Sequence, residues 1–432
     1  MIGKGKKGVP LDGSTIRDLC AAETANWDVR GKRLLLVVPD HTRTAPIGAM
    51  FRILHRLLAA EARSFDVLIA LGTHPAMSDA AIDRRLGMTQ SERHGIFSST
   101  RFFNHRWDDP SQLASVGAIT ENEVADLSGG RMRERVNVTI NKAVLEYDLL
   151  IILGPTFPHE VVGFSGGNKY LFPGISGREF IDMFHWLGAL ITNPAIIGAK
   201  HTPVRAIIDR AARFVPTERK CMSLVVEGEE LVGVYLGSPE EAWNAAADLS
   251  EQVHVRYEPR AFRSVLSQAP RMYDDLWTGG KCAYKLEPVV EDDGELIIYA
   301  PHIASVSEVH GEVIRRIGYH VRDYFLKQMN RFLGVPRGVM AHSTHVKGVG
   351  SYDDGVESPR IRVTLATQIA EAECRALNLG YRDFRTVNVA EWADREDEGL
   401  LYVPKAGETL FRLRSEVAGA RDATTRGSRV AP

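Results

Sequence analysis

The chain has 432 residues, 44% hydrophobic and 25% charged, which is enough for two or three domains that each bury a core. A formal net charge of -2 and an isoelectric point near 6.7 give no global pull toward nucleic acid or an anionic membrane, and no apolar run approaches the ~18 to 20 residues that span a bilayer. Cys20, Cys221, Cys282 and Cys374 lie far apart and form no C-x-x-C pair, and the opening MIGKGKKGVPLDGS has no apolar signal core, so a cytoplasmic protein with reduced, buried thiols is expected.

In chain order, the first strong elements are two apolar runs, Arg33–Pro39 and Asp66–Thr73, with an amphipathic helix between them at Ala49–Ala62. A third apolar run comes at Tyr147–Pro155. Strands this uniformly apolar are covered on both faces, which predicts a mostly parallel sheet flanked by helices. The pattern then restarts. A helix is expected at Glu240–Val253, a strand at Phe262–Ala269, a helical stretch reaching Val290, a strand at Glu295–Pro301, a helix near Ser307–Ile317 and a further strand at Gly338–Ser343. The fold class expected is α/β, with two α/β domains, mostly parallel sheets and a cofactor or substrate cleft between them. The domains are placed at 1–240 and 241–414, and the small, polar 415–432 is expected to be a flexible tail.

Each of the three apolar strands ends in a polar loop: Asp40-His41-Thr42-Arg43, Gly72-Thr73-His74 and Thr156-Phe157-Pro158-His159. Ligands of open parallel sheets bind beyond the carboxyl ends of the strands, so the three loops point to one site. Next comes GFSGGNKYLFPG at 163–174, close to a phosphate-binding loop but lacking its chemistry. The residue after Lys169 is Tyr170 rather than the Ser or Thr that holds magnesium, and Pro173-Gly174 interrupts the helix that would receive the phosphates. What the glycines permit is a close approach of the main chain to a flat group, with Lys169 delivered from a tight loop as a candidate covalent attachment point. His185 lies sixteen residues later, beside the apolar stripe Phe180, Phe184, Leu187 and Ile191 of a predicted helix. A satisfied core histidine and a metal ligand both remain open for it.

The set Asp40-x-Thr42-Arg43, Gly72-Thr73-His74, His159, Gly163-Phe164-Ser165-Gly166-Gly167-x-Lys169, Pro173-Gly174 and His185 resembles the signature of the nickel-pincer-nucleotide-dependent lactate racemase family of 2-hydroxyacid racemases and epimerases. The resemblance is strong over about residues 35–190 and weaker beyond. It implies that Lys169 is joined through a thioamide to a pyridinium bis-thio mononucleotide carrying nickel, with His185 as the protein's metal ligand and Ser165, Gly166, Gly167, Asp40, Thr42 and Arg43 around the cofactor. Soft sulfur and carbon donors with one imidazole in a plane suit Ni(II). It also implies His74 and His159 as a catalytic acid/base pair, and Arg43 as a carboxylate partner. The segment WTGGK at 277–281 resembles the family's substrate segment, which makes Trp277 and Thr278 substrate contacts and Lys281 a carboxylate-binding and catalytic candidate.

The implied activity is inversion at C2 of a 2-hydroxy acid by reversible hydride transfer, with cofactor-maturation enzymes as partners and neither nucleic acid nor membrane involved. Where the lactate enzyme has tyrosine and glutamine this chain has Trp277 and Thr278, which favours a longer or more polar acid, such as a sugar acid, over lactate or malate. Two other classes stand beside this reading: a non-catalytic homologue that only binds cofactor or ligand, and a zinc hydrolase using three of His74, His159, His185 and His345. No H-E-x-x-H pair supports the latter.

Overall fold

The structure, a computed structural model, describes residues 1–414; the tail expected at 415–432 lies outside the described residues. The chain divides into two compact units, one formed by Met1–Leu187 with Ala199–Val253, the other by Gly188–Gly198 with the residues from His254 onward.

The first unit is built on a seven-stranded sheet. Its strands are β1 (Ile2–Gly5), β2 (Arg33–Pro39), β3 (Ser64–Ala70), β4 (Phe102–Asn104), β5 (Leu149–Pro155), β6 (Glu218–Glu227) and β7 (Glu230–Gly237), in the order β1-β7-β6-β5-β2-β3-β4. From β6 to β4 all neighbours are parallel, while β7 and β1 add an antiparallel edge. The three apolar runs read from the sequence are thus the adjacent central strands β5, β2 and β3. Register aligns their ends: Pro39 is opposite Ala70, and Val37 opposite Ile152, so the polar loops leave from the same edge of the sheet.

One face of this sheet is sealed by the helix Ile47–Leu58. Ile47, Met50, Phe51, Leu54 and Leu58 recur at helical spacing and are buried against Leu34, Leu36 and Val38 of β2 in one core cluster. Each such side chain contributes about 1.5–3 kcal/mol on burial, which is why the sequence pattern was strong enough to specify the layer.

The second unit holds a five-stranded, wholly parallel sheet. Its strands are β8 (Phe262–Gln268), β9 (Val290–Ala300), β10 (Arg362–Thr367), β11 (Gly380–Tyr381) and β12 (Leu400–Val403), in the order β11-β10-β9-β8-β12. The expected α/β class with mostly parallel sheets is what the structure has. Two local expectations fail. The strand expected at Gly338–Ser343 is part of a helix, Arg337–Lys347, whose residues from Gly338 to Lys347 are all buried. A helix enclosed on every side has no polar face to set a 3.6-residue period, so GVMAHS reads as readily as a strand. The helical stretch expected before Val290 is broken into short pieces, Leu276–Gly279, Lys281–Tyr284 and Glu287–Val289, with Gly280 between the first two and Pro288 in the first turn of the third. All four cysteines are free and buried. Among the described residues, no helix is long and apolar enough to cross a membrane.

Candidate active site

At the end of β2, Asp40 is only 4% exposed. Its Oδ1 accepts from the Thr42 backbone N–H at 3.0 Å and the Thr42 hydroxyl at 2.7 Å, an Asx-type turn that folds the loop back on itself. Its Oδ2 meets Nδ1 of His74, from the loop after β3, in a short contact. Burial alone would push the Asp40 carboxyl up; the His74 ring, the Arg43 guanidinium and the Thr42 hydroxyl outweigh it and hold the acid far below the usual carboxylate range. An ionised Asp40 can only accept, so Nδ1 of His74 carries a proton and Nε2 is the ring's basic atom. Arg43 is steadied by its own neighbour, donating to the carbonyl and hydroxyl oxygens of Thr42 at 3.2 Å each. Gly72, at φ +56, turns the β3 loop, and its N–H is tied to the Gly174 carbonyl at 2.9 Å, so the histidine loop and the end of the glycine loop are joined.

After β5 the chain makes a tight excursion in which Pro158–His159 pairs with Gly163–Phe164. His159 is 8% exposed; its Nδ1 faces the Val161 N–H at 3.2 Å and Glu160 Oε2 at 3.3 Å, so the ring has a partner there in either protonation state. Ser165 is structural as well as central: its hydroxyl accepts from Phe157 N–H at 2.9 Å and donates to Pro155 O at 3.3 Å. Gly163 and Gly166, at φ +89 and +90, adopt a backbone that side chains rarely take, and a Cβ on Gly163 would stand 1.8 Å from Ala199 O. The loop then closes into a single helical turn, Gly167–Tyr170.

Lys169 leaves that turn into a crowded place. The residue keeps some exposed surface, but its amine is enclosed, and burial first, then the positive charges of Arg43 and Arg205, push it down to about 7 against the pull of Glu160 and Asp40. A lysine near 7 is substantially neutral, hence nucleophilic, at physiological pH. The same influences place the strand-end residues and the lysine in one electrostatic neighbourhood. Lys169 Nζ sits 5.9 Å from the Phe184 ring, and the ring of His185 packs against that same phenyl edge-on at 4.8 Å. His185 lies on the helix Arg178–Ile191 and points Nδ1 at the Ile181 carbonyl, 2.7 Å away. A carbonyl only accepts, so in the neutral ring the proton sits on Nδ1 and the lone pair on Nε2, the arrangement of a metal-ligating histidine.

The second unit carries the other predicted residues. Asp275 caps the turn Leu276–Gly279 by accepting from Thr278 N–H at 3.0 Å, and Thr278 is 8% exposed. The Trp277 indole is stacked on His342 at 4.0 Å and lies 4.4 Å from His310. Lys281 opens the next turn with Nζ 4.6 Å from the Tyr273 ring centroid. His342, His345 and Lys347 stand on the buried helix Arg337–Lys347; burial holds His345 down at about 4, and Lys347 donates to Asn378 O at 2.6 Å.

Sequence reasoning missed Glu160, Arg205 and Trp243 in the first unit, and His310 and Tyr319 in the second. None stands in a motif, and Trp243 reads only as the apolar face of a helix. Among the described residues no group of three or more His, Cys, Asp or Glu stands where it could hold a metal ion, which leaves the three-histidine zinc hydrolase without a donor set. One histidine held through Nδ1, near an enclosed amine, fits a metal whose other donors arrive on an attached organic group.

The fold and these residues define an α/β protein with parallel sheets that presents a desolvated lysine from a glycine loop at the strand ends. The family described as the lactate racemase N-terminal domain matches residues 18–197. Lactate racemase from Lactiplantibacillus plantarum is 27% identical over 230 residues, 52% of this chain and 49% of that protein. Lactate racemase from Thermoanaerobacterium thermosaccharolyticum is 24% identical over 274 residues, 62% of this chain and 60% of that one. The matched stretch thus spans about half of the curated relatives' length. Among solved structures, a Thermotoga maritima protein is 32% identical, with a TM-score of 0.87 over 95% of this chain and 100% of that one. The lactate racemase apoprotein from T. thermosaccharolyticum shares the fold, with a TM-score of 0.69 at 16% identity over 95% of this chain and 94% of that one. Residues 18–197 are thus a lactate racemase N-terminal domain by family match, and the lactate racemases are the named relatives this chain resembles.

Proposed function

We propose that the chain is a 2-hydroxy-acid racemase or epimerase that works with a nickel-pincer nucleotide attached to Lys169. The observation that carries this reading is the pair of groups packed near Phe184: an enclosed amine, largely neutral near pH 7, and a histidine whose Nδ1 is held by the Ile181 carbonyl. Lys169 would hold the organic part and His185 Nε2 would ligate the nickel. When bound, the group supplies a hydride acceptor for the substrate Cα–H.

The chain's own residues do the rest. His74 Nε2 takes the hydroxyl proton on one face and His159 returns one on the other, the roles exchanging for the reverse reaction. Each ring has a carboxylate beside Nδ1, Asp40 for His74 and Glu160 for His159, which compensates the imidazolium that forms. Arg43 supplies a planar fork for a carboxylate. Trp277, Thr278 and Lys281 keep the substrate-binding roles that the family resemblance gives them, and the preferred substrate is a longer or polyhydroxylated acid such as an aldonate.

The test is the intact mass and nickel content of protein co-expressed with the cofactor-making enzymes, wild type against Lys169→Ala. Adduct and nickel in the wild type and neither in the variant are expected; a wild type with neither ends the proposal. With matured enzyme, substrate deuterated at Cα should keep most of its label on inversion, since hydride is not shared with water. Rapid washout would instead indicate proton abstraction.

A further inference from the structure

Three successive carbonyls of the glycine loop, those of Phe164, Ser165 and Gly166, are held by two side chains that no motif contains. Arg205, on the helix Pro203–Ala212, donates to Phe164 O at 2.5 Å and Gly166 O at 3.3 Å. Trp243 donates its indole N–H to Ser165 O at 2.8 Å, and the Arg205 guanidinium lies 4.0 Å from the centroid of that indole. A Cβ on Gly167 would stand 2.9 Å from Trp243 Cβ, so the loop is pressed directly onto this support. The next residue, Asn168, is tied down separately, donating to Asp209 at 3.0 Å and Glu240 at 2.7 Å.

Arg205 is 3% exposed, and among the described residues no carboxylate stands within ion-pair distance of it. Asp209 and Glu240 act on the guanidinium from further off, yet burial outweighs them and pushes it below its ordinary value; a neutral amide could satisfy two carbonyls at less expense. The charge itself therefore calls for a use.

We propose that Arg205, seated on Trp243, is the positioning residue of the cofactor loop: its fork fixes the carbonyls of Phe164 and Gly166 and so aims Lys169, three residues further on, at its attachment partner. Its fixed positive charge also adds to burial and to Arg43 in disfavouring protonation of the Lys169 amine, whose neutral form is the only one that can be acylated. The two contributions separate by substitution. Arg205→Lys keeps the charge but cannot bridge two carbonyls, whereas Arg205→Met removes both. The proposal rests on Lys169 being the attachment lysine.

The experiment follows acetylation of Lys169 by acetic anhydride in the apoprotein as a function of pH, read by peptide mass spectrometry, alongside the yield of covalent adduct after maturation. In wild type, half-maximal reactivity is expected near pH 7. Arg205→Met should move it up, with burial and Arg43 still holding it below the ordinary lysine range, and cut adduct yield ~5-fold or more. Arg205→Lys should hold the wild-type profile yet lose adduct. Should the methionine variant not fold, the lysine variant decides alone: wild-type adduct yield there overturns the aiming role. A folded methionine variant with an unchanged profile and full adduct overturns the whole inference. Wild type without adduct would remove the attachment reading, while the acetylation profile still decides the electrostatic role of Arg205.

Discussion

At the scale of single residues, the site stores its function as an electrostatic penalty. Lys169 titrates near 7 in the folded chain and at its ordinary 10.5 when unfolded. Between those values the unfolded chain binds more protons, so apoprotein stability rises with pH through this window, and the full penalty is present below about 7. Lys169→Met should therefore stabilise the apoprotein at pH 7 by ~1 kcal/mol or more, with the advantage shrinking toward pH 10.5, as read by urea unfolding at the two pH values. A stabilisation that does not depend on pH would place its source elsewhere than the amine. His185 gives the contrasting case. Its ring is only partly buried and its Nδ1 is bonded to the Ile181 carbonyl of its own helix, so His185→Ala should shift stability by less than ~1 kcal/mol while abolishing nickel retention by the matured protein. Retained nickel would remove this histidine from the metal's ligands.

The elements show why the glycine loop is glycine-rich and how far the sequence disclosed it. Gly72 and Gly163 both sit at positive φ, +56 and +89, but a Cβ on Gly72 meets nothing within 4 Å whereas on Gly163 it would strike Ala199 O at 1.8 Å. Gly72→Ala should then cost only the left-handed backbone term, ~1 to 2 kcal/mol, and Gly163→Ala at least ~3 kcal/mol, enough to lower soluble yield visibly. Equal melting temperatures for the two variants would contradict the loop geometry. The central strands, the helix Ile47–Leu58 and the lysine loop were all legible, because apolar periodicity and clustered glycines are local signals. The support beneath the loop was not. Arg205 and Trp243 reach it from 41 and 78 residues away, and such contacts leave no local pattern. The helix Arg337–Lys347 was misread for the opposite reason: it is buried all round, so its local pattern carries no direction.

Across the whole molecule, the residues proposed for catalysis and those proposed for selectivity lie in different units. Lys169, His185, His74 and His159 all belong to the first unit, and it is this part of the chain that the lactate racemase N-terminal domain matches. Trp277 belongs to the second, where two imidazoles, His342 and His310, lie against its indole and the fully buried Tyr319 hydroxyl has no hydrogen-bond partner among the described residues. These are polar surroundings, and on the proposed reading they would suit hydroxyl groups better than the methyl group of lactate. A pocket of that kind leaves buried groups unsatisfied when a small apolar substrate enters, which costs discrimination factors of ~10² or more. Matured enzyme offered lactate, malate, an aromatic 2-hydroxy acid and gluconate should invert C2 of the polyhydroxylated acid most efficiently, with kcat/KM for lactate lower by about that factor, as followed by chiral chromatography. Trp277→Ala should narrow this gap rather than abolish turnover, since the indole contributes binding surface and no proton. Lactate turned over best by wild type, with Trp277→Ala indifferent to substrate, would show that selectivity is set elsewhere, while the roles proposed for Lys169 and His185 would be untouched.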